Sequence, residues 1–266
     1  MIPTMLLMLA AGIGLTQAVS DPMAVTLRWL RLGGIIAATL LSVAVASVVM
    51  NDGWSHTGTI AAIASPAVAF IVQLMAVQLG YRHRQRFAAA MACLLAVLSA
   101  AVSAGIILSH HKPDVADVPA LTISEWMSLL ATVAISGGLL GGFLMTMLLG
   151  HAYLTAGNEM TQAPFRRLVL LLAILLVLRL IASLVLGLIP WLSSERTGAQ
   201  LWLTMMILTR FAVGFVVTFI FTYMTYDCVK RRANQSATGI LYVAGVLIII
   251  GEWSALSLLD STGFLF

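Results

Sequence analysis

Residues 168–190 read LVLLLAILLVLRLIASLVLGLIP, an apolar run interrupted by a single charge, Arg179. About 20 apolar residues, rising 1.5 Å each as a helix, cross the roughly 30 Å hydrocarbon core of a bilayer. This stretch therefore reads as a membrane span with an ionised side chain inside it. Comparable runs fall at about 3–19, 29–50, 60–80, 87–109, 126–150, 201–226 and 238–259. Backbone groups in lipid must bond within their own segment, and these runs lack the alternation of barrel strands. The expected fold is all-α: a polytopic transmembrane bundle of about eight spans, forming a single membrane domain over 1–266. The first run is the shortest. Met1–Ser20 lacks the basic n-region of a signal peptide, so it reads as a span.

Composition agrees. The chain is 61% hydrophobic and 9% charged, with a mean hydropathy of +1.04, against about 45–50% and about 25% for water-soluble domains. Its length of 266 residues leaves no room for a soluble catalytic domain beside the spans. Cys93 and Cys228 show no CxxC or Cys/His metal spacing. The net charge of +4 does not indicate nucleic acid, because the basic residues flank apolar runs.

Those basic residues give a direction. Alternate connections hold Arg28 and Arg31; Arg82, Arg84 and Arg86; Arg166 and Arg167; and Lys230, Arg231 and Arg232. The others hold only Lys112 and Arg196, beside Asp52, Asp114, Asp117, Glu125 and Glu195. The asymmetry predicts basic loops in the cytoplasm and both termini on the opposite side, with a bacterial inner membrane as the expected setting. The alternation also repeats between 1–109 and 126–266, joined by an outer loop at 110–125. Two four-helix halves in parallel repeat, with a cleft between them, would result; any eight-span chain obeying the charge rule gives the same period.

Charges at helix centres are costly, about 2.5–3.5 kcal/mol each on insertion scales. Arg179, Arg210 and Glu252 lie well inside spans, at about 16, 24 and 21 Å from the cytoplasmic ends. Glu252 pairing with one arginine is the structural expectation. The surplus positive charge gives the functional one, a ligand-binding or proton-linked site completed by an anion or a quinone oxygen. His56, His83, His110, His111 and His151 all avoid span centres, which argues against paired transmembrane haems. His110, His111, Asp114 and Asp117 match no metal-site spacing, so no metal is assigned.

In the fifth run, Gly137 with Gly141 and Gly138 with Gly142 are expected to form one small face for close helix packing. Two polar patches are expected at the cytoplasmic surface, an interfacial site for a headgroup, a quinone ring or a soluble partner. Its candidates are His151, Tyr153, Arg166, Arg167, Asp227 and Gln235; the segment also holds Asn158, Glu159 and Gln162. Asn234 or Ser236 is expected to cap the last helix. The tryptophans, Trp54 among them, mark span ends, and the methionines read as apolar packing.

These features point first to a membrane-embedded subunit of a respiratory or electron-transfer assembly, quinone-interacting or proton-conducting, with partner membrane or peripheral subunits. A small secondary transporter with its site at Arg179, Arg210 and Glu252 is the alternative. An intramembrane lipid-modifying enzyme comes third, without an HExxH, Asp-rich or Ser/His/Asp pattern to support it.

Overall fold

The computed structural model describes residues 1–52, 57–109, 121–156, 161–193 and 201–266, without the side chains of 51–63, 82 and 156. Trp54, His56, His110, His111, Lys112, Asp114, Asp117, Asn158, Glu159, Glu195 and Arg196 lie outside the described residues, as do the side chains of Asp52 and Arg82. Among the described residues, eight helices succeed one another: α1 (Ile2–Val19), α2 (Leu27–Asp52), α3 (Thr57–Gln78), α4 (Arg82–Ser109), α5 (Ile123–Ala156), α6 (Ala163–Ser193), α7 (Leu201–Lys230) and α8 (Asn234–Thr262). Among the described residues, seven of these helices are long and apolar enough to cross a membrane, and the part of α3 whose side chains are described, Ala64–Gln78, is apolar as well. This is an integral membrane protein.

The helices overrun the apolar runs at several ends, and local chemistry sets where they start and stop. Pro3 and Pro164 sit in the first turns of α1 and α6, where a missing N–H costs nothing. Thr122 and Glu125 form a reciprocal cap on α5, with Glu125 Oε2 accepting from the Thr122 N–H at 2.8 Å. Helix α8 begins after Ala233 without a side-chain cap, so the expected Asn234 or Ser236 cap is not used. The tight turn before it already directs the chain.

Packing runs in a ring within each half. Helix α1 touches α2 and α4, and α3 touches both α2 and α4; in the second half α5 touches α6 and α8, and α7 touches both α6 and α8. The third and fourth helices of each half are joined by the same turn. Gly80 (φ 78°) and Arg232 (φ 60°) both adopt the left-handed conformation. In one turn the Tyr81 N–H reaches Ala76 O at 3.0 Å; in the other Ala233 N–H reaches Cys228 O at 2.9 Å. Each bond satisfies a carbonyl of the helix end.

The halves meet chiefly through their first helices, α1 and α5, with α4 also against α5. A Cβ on Gly12 would overlap the Gly137 carbonyl oxygen, and one on Gly141 would overlap the backbone at Gly12 and Ile13. Where the charge repeat suggested a cleft, this part of the junction is a closed glycine seam. The four glycines of α5 also face two ways. Gly137 and Gly141 admit the α1 backbone, whereas added Cβ atoms on Gly138 and Gly142 would meet Leu175 and Leu172 of α6 first, and the Leu15 and Thr16 side chains of α1 beyond them. The physical reason is the helical rotation of about 100° between consecutive residues. Trp29 ties α2 to the same centre, its Nε1–H donating to Met145 O at 2.9 Å.

Candidate functional site

Arg179, Arg210 and Glu252 come from α6, α7 and α8 and converge, each at most 2% exposed. Arg210 Nη1 donates to Glu252 Oε1 at 3.0 Å, and Arg179 Nη2 donates to Glu252 Oε2 at 3.3 Å. Glu252 thus holds both arginines, rather than the one expected from sequence. Ser183 Oγ accepts from Arg179 Nη1 at 3.1 Å and from Arg210 Nη2 at 3.3 Å. A main-chain oxygen of Phe266 accepts from Arg179 Nη2 at 2.5 Å. The Arg210 guanidinium also lies 4.3 Å from the centroid of the Phe215 ring, a favourable cation–π contact.

Two irregular backbone segments lie at this convergence. Ser183–Leu188 of α6 and Thr209–Val217 of α7 are π-helical, and such wide turns rotate the succeeding side chains out of α-helical phase. Ser183 opens the first, and Arg210 lies within the second. Gly214 and Gly251 bring the α7 and α8 backbones together beside Arg210: a Cβ on Gly251 would sit 2.6 Å from Gly214 Cα. After α8, Gly263 (φ 75°) reverses the chain, and Phe266 settles against Gly187, where a Cβ would meet Phe266 Cα at 2.7 Å.

The cluster is closed. The cavity beside it, lined in part by Thr132, Arg179, Glu252 and Phe266, has a volume of about 20 Å³, room for about one water. Thr132 Oγ1, Arg179 Nε and Arg210 Nε are buried without a hydrogen-bond partner. Ser136 of α5 faces Glu252 without closing a hydrogen bond.

No protein-family model, curated protein or solved structure matches this chain. Its function must be read from its own geometry.

The interfacial candidates separate into different environments. Tyr153 is 2% exposed, stacks on Phe165 with ring centroids 5.3 Å apart, and donates to Thr161 O at 2.5 Å. It fastens α5 to the start of α6. His151, Arg166, Arg167 and Gln235 are exposed. Asp227 of α7 pairs with Arg231, just past the helix end, at 2.9 Å. Between α6 and α7, Leu170, Ala173, Phe219, Tyr223 and Tyr226 help to line a slot of about 220 Å³.

Sequence reading passed over a second buried polar group in the first half. Gln17 Nε2 donates to Leu30 O at 2.9 Å, and Gln73 Nε2 donates to Gln17 Oε1. Gln85 is also fully buried, with neither amide atom hydrogen-bonded. Three glutamines in or beside apolar runs were the signal available. Ser183 stands one helical turn after Arg179, a spacing that was legible but not taken up; Phe266 carried no signal, because its role arises from a chain reversal. Among the described residues, no three His, Cys, Asp or Glu side chains gather as a metal site requires.

Proposed function

We propose that this protein is a membrane-embedded subunit of an electron-transfer assembly that interacts with a quinone. The observation that carries the reading is the slot between α6 and α7. Phe219, Tyr223 and Tyr226 give it an aromatic lining, and its volume of about 220 Å³ suits a single flat ring whose tail remains in lipid. Aromatic faces favour an offset stack with such a ring, and the lining of the slot is wholly apolar. The slot lies toward the end of the bundle where Arg166, Arg167, Asp227, Lys230 and Arg231 gather, a charged rim suited to a peripheral partner. On the charge rule this rim is cytoplasmic and both termini lie outside, as in a bacterial inner membrane.

Purification in mild detergent tests the proposal. Redox-active subunits in fixed stoichiometry and extractable quinone are expected, with quinone content falling severalfold in Phe219→Ala and Tyr226→Ala. An isolated chain with no quinone and no redox partner would overturn it.

A small secondary transporter is the second reading, favoured by the π-helical segments at the charge cluster, since such segments recur at functional sites. The closed cluster and its cavity of about 20 Å³ weigh against it. Solute uptake by the purified protein in liposomes, abolished by Arg210→Gln, would select that reading instead.

A further inference from the structure

At the basic end of the first half, a groove of about 620 Å³ opens between the start of α2 and the end of α5. Arg28, His151, Thr26 and Thr155 supply its polar groups, while Leu32 and Leu148 contribute to an apolar wall. Arg28 and His151 are exposed, and none of the described residues lining the groove is acidic. A second groove, of about 590 Å³, lies where α3 passes into α4. It repeats the composition: His83 and Arg84 stand beside Met75, Leu79 and Phe87, again without a described acidic residue. The Arg84 guanidinium is held 4.9 Å from the centroid of the Tyr81 ring.

Both grooves therefore place an arginine and a histidine at the end of an apolar wall. Both lie at the same end of helices that cross a bilayer, where the headgroup layer meets the acyl chains. A guanidinium binds phosphate oxygens through paired N–H donors, and the apolar wall suits the first methylenes of an acyl chain. A free phosphate would leave that wall empty. A zwitterionic headgroup would bring its own cation toward two basic side chains with no acid to receive it. Basic pockets at this depth take anionic headgroups for these reasons.

We infer that the two basic grooves, Arg28 with His151 and Arg84 with His83, are binding sites for anionic glycerophospholipids. The headgroup phosphate meets the arginine, and an acyl chain lies along the apolar wall. The inference is independent of the quinone reading, which concerns the slot between α6 and α7, and it is measurable on the chain without partners.

Native mass spectrometry of the full chain, released from detergent after equilibration with phosphatidylglycerol or phosphatidylcholine, tests it. Retention of up to two phosphatidylglycerol molecules is expected, severalfold above phosphatidylcholine. Arg28→Gln with His151→Gln should remove one, and adding Arg84→Gln should remove the second. Arg167→Gln, exposed and lining neither groove, should remove neither, and a short-chain quinone should displace neither. Equal retention of both lipids would overturn the inference. Equal loss in Arg167→Gln would reduce it to diffuse surface charge, and displacement by the quinone would assign the grooves to a different ligand. Loss of lipid with quinone content unchanged would separate this site from the slot.

Discussion

Arg210 and Glu252 face each other across α7 and α8 at 3.0 Å, both shielded from the surface, and the same carboxylate holds Arg179 at 3.3 Å on its other oxygen. One acid serving two arginines makes the cluster asymmetric. Glu252→Gln takes the carboxylate from both guanidiniums, leaving Arg179 with Ser183 and the Phe266 oxygen, whereas Arg210→Gln leaves the Arg179–Glu252 pair. Breaking a buried pair costs about 3–5 kcal/mol. Glu252→Gln should show that loss in unfolding from mild detergent, and Arg210→Gln roughly half of it. The double variant should recover only part, because Arg179 still lacks its carboxylate. Equal losses in the single variants, or full recovery in the double, would refute the shared-carboxylate arrangement.

The seam between the halves admits no side chain. Gly141→Val should force α1 away from α5, at a cost of about 1–3 kcal/mol or more, and lower the apparent melting temperature in detergent. Gly245→Val is the matched control, because a Cβ there meets nothing within 4 Å. A similar small change in both variants would mean that the seam is not what joins the halves.

Gln85 offers a change in the opposite direction. Both of its amide atoms are buried without a partner, and such groups carry a desolvation cost of about 1–3 kcal/mol. Gln85→Met keeps the length of the side chain and removes the polar atoms, so it should stabilise the protein by about 1 kcal/mol. A loss of stability on thermal unfolding would show that the amide is engaged in the membrane.

Arg232 holds φ at 60° in the turn before α8, where a side chain costs about 1–2 kcal/mol and glycine is little strained. Gly80 occupies the equivalent turn before α4. Arg232→Gly should therefore raise stability by about 1 kcal/mol, read as a shift in the unfolding midpoint. Gly80→Arg should lower it by a similar amount; changes of the same sign would separate the two turns.

The bundle was legible in the sequence because lipid imposes a simple rule on long apolar runs, and each predicted run lies within or close to a helix. Arg179, Arg210 and Glu252 were legible as a group for the same reason: ionised residues in such runs must find partners. Their pairing was not. Ser183 reaches Arg179 at the ordinary four-residue helical spacing, whereas Phe266 enters through a reversal at Gly263, which leaves no periodic trace. Tyr153 and His151 stand two residues apart in one polar segment, yet helical rotation sends one into the core and the other to a groove.

The sequence alone determined that the chain forms apolar helices, since its backbone can be satisfied in lipid in no other way available to these runs. It also determined which few charges lie inside them. Only the tertiary structure decided which helices touch: that α1, the shortest apolar run, lies against α5 at the centre, and that Glu252 stands between two arginines. Those outcomes depend on backbone approach at glycines and on side-chain direction after irregular turns. Both are set by neighbours distant in the chain, so no local pattern records them.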